Sequence, residues 1–86
     1  MIEIFYTNTF VKRVHKLDKN LIKEILEKIE MFKNPSNHKK LDVHKLHGKL
    51  SDKYAFSVNY KVRIVFQYSE KSQAVMLAID DHDVYK

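Results

Sequence analysis

Apolar positions along the chain keep a helical spacing in the first half and alternate in the second. Before either pattern, Ile2, Ile4 and Tyr6 alternate with Glu3 and Phe5, which predicts a short opening strand. Thr7 or Asn8 can then cap a helix, because their side-chain oxygens accept from an otherwise unpaired backbone N–H. Phe10, Val11, Val14 and Leu17 follow at helical spacing, with Lys12, Arg13 and Lys16 around the other side. Asp18 is a suitable cap for a second helix. Its apolar stripe is Leu21, Ile22, Ile25, Leu26, Ile29 and Phe32, and Lys23, Glu24, Glu27, Lys28 and Glu30 face solvent. Asn34-Pro35-Ser36-Asn37 ends this helix, since proline restricts the residue before it and cannot continue the ladder.

From Lys53 the period becomes two. Tyr54, Phe56 and Val58 share one face of a strand, and Asn59-Tyr60 forms a tight turn. Val62, Ile64, Phe66 and Tyr68 share one face of the next strand, opposite Arg63, Val65 and Gln67. Ser69 to Gln73 reads as a polar hairpin loop and Ala74 to Ile79 as the last strand. The order β-α-α-β-β-β predicts an α+β fold: a two-helix hairpin packed on one face of a mainly antiparallel twisted sheet of about four strands. One domain spans residues 1–86, with Leu21, Ile25, Ile29, Phe56, Ile64 and Phe66 expected in its core.

Composition narrows the chemistry. The absence of cysteine removes disulfides, thiolate zinc sites and thiol nucleophiles, and fits a reducing compartment. No apolar run is long enough to span a bilayer, and Glu3 stands where a signal peptide would carry basic charge, so a cytoplasmic protein without membrane contact is expected. The formal net charge is +5, carried almost wholly by lysine, since Arg13 and Arg63 are the only arginines. Between His38 and Lys53 lie Lys39, Lys40, Lys45, Lys49 and Lys53, with His38, His44 and His47, against Asp42 and Asp52 alone. Such a stretch is either a footprint for a polyanion or acidic partner, or a solvated lysine-rich loop; charge alone leaves both open.

Gly48 is the only glycine, which excludes a glycine-rich phosphate loop. His44 with His47, or Asp81-His82-Asp83, gives only a weak signal for a metal, and none is assigned. What remains is cations, imidazoles and a phenol. Arg63 is a planar, permanently charged donor suited to a phosphate, although taken alone it reads first as a strand arginine that is exposed or paired with Asp80 or Asp81. His82, flanked by two aspartates, is suited to proton transfer, or is a surface histidine. Tyr85 can stack on a base, or pin the chain end to the sheet. Metal-free RNA cleavage needs a base, an acid, a cation for the phosphorane and a group that splays the target base. Arg63, Lys49, Lys45, His47, His82 and Tyr85 contain candidates for all of these.

The run Leu46-His47-Gly48-Lys49-Leu50 to Arg63-Ile64-Val65-Phe66, with the ending His82-Asp83-Val84-Tyr85-Lys86, resembles the RelE/ParE superfamily of toxins of type II toxin–antitoxin systems. The resemblance implies a ribosome-dependent, metal-independent endoribonuclease, an mRNA interferase that blocks translation without a cofactor. Its catalytic residues would be Arg63 at the scissile phosphate, His82 in proton transfer and Tyr85 orienting the substrate, with Lys49 and His47 beside them. RNA would be held by Lys39, Lys40, Lys45, Lys49, Lys53 and Lys86. The implied partners are mRNA in the ribosomal A site, ribosomal RNA, and an acidic antitoxin in a toxin–antitoxin hetero-oligomer. His47 stands where many relatives have lysine, Asp81 precedes the histidine, and Lys86 replaces a terminal arginine. The alternatives are a ParE-like toxin that inhibits DNA gyrase, and a non-catalytic binding module.

Overall fold

Backbone hydrogen bonding follows the predicted order closely in a computed structural model, which describes residues 1–81. Strand β1 (Glu3–Tyr6) leads into helix α1 (Asn8–His15) and helix α2 (Lys19–Phe32). Of the two possible caps, Thr7 takes the role: its Oγ1 accepts from the Phe10 N–H at 3.0 Å. Asp18 caps α2 by accepting from the Asn20 and Leu21 N–H groups at 3.0 and 3.4 Å. Helix α1 closes at His15, so Leu17 packs against the core from the linker rather than from the helix. After α2 come β2 (His44–Lys45), β3 (Tyr54–Ser57), β4 (Val62–Glu70) and β5 (Gln73–Asp81).

These strands form a five-stranded sheet in the order β1-β5-β4-β3-β2. The pairing of β1 with β5 is parallel and the other three are antiparallel. The sheet gains one strand over the sequence expectation because His44 and Lys45 pair with Ala55 and Tyr54. Two residues are too few for alternation to register. The β4–β5 hairpin is also tighter than expected: Ser69, Glu70 and Gln73 belong to the strands, leaving only Lys71 and Ser72 to turn. At the β3–β4 turn, Asn59 Oδ1 accepts from the Lys61 and Val62 N–H groups at 2.8 and 2.9 Å. Its Nδ2 donates to Glu24 on α2 at 2.9 Å, tying the turn to the helical layer.

The core lies between the helices and one face of the sheet. Ile25, Ile29, Phe56, Ile64 and Phe66 are buried as expected, whereas Leu21 is half-buried at the edge and Leu26 is exposed. Phe32 is the centre of the aromatic packing. Its ring stacks on Phe56 at 4.7 Å between centroids and meets Phe66 edge-on at 4.7 Å. His38 stacks on its other side at 4.6 Å, and the His38 Nε2–H donates to the Phe32 carbonyl at 2.8 Å. One member of the basic stretch is thus committed to packing. Phe32→Ala removes the hub of this cluster and is expected to cost about 3–5 kcal/mol. Urea unfolding of the two proteins checks this, with a falling midpoint at unchanged slope as the expected result.

Along β5 the alternation breaks once. Phe66 pairs with Met76, but Val65 pairs with Ala78, so Leu77 is an extra residue in the ladder. Without that bulge the phase of Ala74 and Met76 would carry Ala78 and Asp80 onto the core face. With it, Ile79 falls opposite Ile64 in the core, and Asp80 falls opposite Arg63 on the other face.

Candidate functional site

The helix-free face of β4 and β5 is overhung by the segment between β2 and β3. That segment folds back on itself: the Leu46 N–H donates to the Lys53 carbonyl and the Lys53 N–H to the Leu50 carbonyl, both at 2.9 Å. Gly48 sits at φ 73° where the segment turns. A side chain there would strain the backbone, even though nothing lies within 4 Å of where its Cβ would be. Asp52 joins the segment to the sheet by accepting from Gln67 Nε2 at 3.2 Å. Between segment and sheet lies a recess of about 440 Å³. Val65, Leu77 and Ala78 line its apolar part, Leu46 and Leu50 form the overhang, and His47, Lys53, Arg63 and Asp80 supply its polar groups.

Arg63 is held from its own strand partner. Its Nη2 donates to Asp80 Oδ2 at 2.8 Å, with the two side chains 31% and 18% exposed. Arginine and carboxylate commonly meet through two parallel bonds, but here there is one. Arg63 Nε and Asp80 Oδ1 are sealed from solvent and have no hydrogen-bond partner among the described residues. Lys53 also has a carboxylate at hand, its Nζ lying 3.1 Å from each oxygen of Asp52. The Lys53 hydrogen bond, more than any other cause, holds the Asp52 carboxyl below its ordinary pKa. Among the described residues, the arginine and the lysine of the recess lining are therefore both ion-paired.

The sequence-predicted residues divide into three groups. Arg63, His47 and Lys53 come together around the recess. Lys39, Lys40, Lys45 and Lys49 are exposed and lie outside its lining. His82, Tyr85 and Lys86 lie outside the described residues. His44 is occupied locally, its Nδ1–H donating to the Asp42 carbonyl at 2.8 Å. Among the described residues, no three His, Cys, Asp or Glu side chains gather as a metal set, and no helix is long and apolar enough to cross a membrane. Sequence reasoning placed no apolar residue in the site, and it treated Asp80 only as a possible partner of Arg63. The bulge at Leu77 brings Asp80, Leu77 and Ala78 to the recess, and no pattern in the residues announces it.

No protein-family model matches the chain, and no curated protein sequence matches it. Solved structures do. The RelE–RelB complex from Pyrococcus horikoshii is similar with a TM-score of 0.73 at 20% identity, covering 94% of this chain and 94% of that chain. The YoeB–YefM toxin–antitoxin complex from Staphylococcus aureus is similar at 0.72 and 17% identity, covering 95% and 98%. YafQ from E. coli is similar at 0.66 and 12% identity, covering 99% and 98%. At such identities the likeness fixes the architecture, and the chain has the fold of the RelE/ParE toxins.

Proposed function

We propose that the chain is the toxin of a toxin–antitoxin pair and cleaves mRNA on the ribosome as a metal-independent endoribonuclease. The observation that carries this reading is the recess that gathers a strand-borne arginine, a lysine and an imidazole over an apolar floor. A guanidinium held on a β-strand is a rigid cation, suited to the charge that builds on a phosphorane. The apolar floor suits a base displaced from its stack. Fold likeness to toxins solved with antitoxins supports the toxin role and an antitoxin partner.

In this mechanism Arg63 neutralises the crowded phosphorane, and His82 transfers the proton, with His47 as the second imidazole near the scissile bond. Tyr85 orients the substrate. Lys53 holds an adjacent phosphate, while Lys39, Lys40, Lys45, Lys49 and Lys86 draw in ribosome-bound RNA. The gyrase-inhibiting alternative shares the fold but has no use for this chemistry.

Arg63→Gln keeps a donor for Asp80 but removes the charge, and single-turnover cleavage of mRNA on programmed ribosomes is expected to slow roughly a hundredfold. His82→Gln is expected to lose about a hundredfold or more. Lys23→Ala, on the exposed side of α2, is the control and should cut at the wild-type rate. Site variants that cut normally would place the active site elsewhere. A wild type that leaves mRNA intact but arrests gyrase supercoiling would replace the ribonuclease with the gyrase reading.

The same proposal makes the neutralising partner acidic. With a net charge of +5, the chain should bind its antitoxin at a rate that falls steeply as salt rises. Stopped-flow association between about 50 and 500 mM salt measures this; a flat profile would contradict the electrostatic account.

A further inference from the structure

We propose that Asp80 is the resident counter-anion of Arg63, which seats the guanidinium at the recess and competes with phosphate for it. The proposal rests on the proposed function only for the identity of the competing anion. Its basis is the Leu77 bulge, which puts Asp80 in register with Arg63 on the recess face. One bond of 2.8 Å then joins the two side chains. The other buried polar atoms of the pair, Arg63 Nε and Asp80 Oδ1, have no partner among the described residues, so within them the pair stays below its full hydrogen-bonding capacity. A resting pair of this kind yields to a better bidentate anion more readily than a saturated one. Lys53, the other basic side chain among the described residues of the recess lining, has its own carboxylate in Asp52, so the Asp80 carboxylate is left to Arg63 alone.

The carboxylate acts in two opposed ways. Its bond fixes the guanidinium in one rotamer, which lowers the ordering cost when phosphate binds. Its charge cancels much of the attraction that phosphate would feel. Asp80→Asn keeps the first effect and removes the second, so phosphate should bind more tightly to the variant than to the wild type. An aspartate whose charge is not felt where phosphate binds would give no such gain.

The probe is inorganic phosphate, titrated into the full chain while the Arg63 Nε–Hε resonance is followed by NMR. Arg13, the only other arginine, is the internal reference. The apparent Kd at Arg63 is expected to fall about fivefold in Asp80→Asn, the scale of one partly exposed charge pair, with Arg13 unaffected. Asp80→Ser gives the same reading should the asparagine variant fail to fold. Phosphate affinity that is unchanged or weaker in the variant, or no Arg63 shift in either protein, overturns the proposal. A wild type that cuts no mRNA overturns the proposed function but leaves this titration valid, so the two failures are distinguishable.

Discussion

One additional residue in β5 governs how the two faces of the sheet are used. Because Leu77 has no partner in the ladder, Met76 and Ile79 both reach the core although three positions separate them. The same shift turns Asp80 toward Arg63. Strict alternation would have set a carboxylate opposite the buried Val62, at the end of a hydrophobic cluster that holds no cation among the described residues to receive it. The bulge thus serves core packing and ion pairing together. It keeps charge out of the core and assembles an ion pair on the face that carries the recess.

The helices were legible because each rests on local rules. Thr7 and Asp18 cap them, Pro35 follows the second, and the spacing of Ile25, Ile29 and Phe32 fixes the face that packs. Phe56, Ile64 and Phe66 were legible from alternation alone. Leu21 lies half-buried at the edge rather than in the core, because helical spacing shows which stripe is apolar but not how far the sheet extends beneath it. Strand β2 escaped notice since pairing, not pattern, defines two residues as a strand. At the site, sequence picked out Arg63 as exceptional without deciding between phosphate and aspartate as its partner. The structure supplies the aspartate at rest, which makes the two readings compatible rather than exclusive.

The basic stretch that dominates the sequence is not one surface. His38 packs on Phe32, His44 bonds to Asp42, and Lys53 pairs with Asp52, so part of its charge is spent on holding the fold. Lys39, Lys40, Lys45 and Lys49 remain exposed around the recess segment or beyond it. In the proposed mechanism this separates two tasks. Exposed lysines attract RNA over long range, while paired cations in the recess engage only a phosphate that can displace a carboxylate.

The proposed mechanism requires the helix-free face to be the one turned toward RNA, and the cysteine-free chain allows that to be measured directly. Ala78→Cys places a thiol in the recess, and Lys23→Cys places one on the exposed side of α2. Each is alkylated with and without ribosomes carrying an A-site codon made uncleavable by 2′-O-methylation. The account predicts that ribosomes protect the thiol at position 78 and leave the one at position 23 reactive. Equal reactivity at position 78 with and without ribosomes, or protection at position 23 alone, would contradict it.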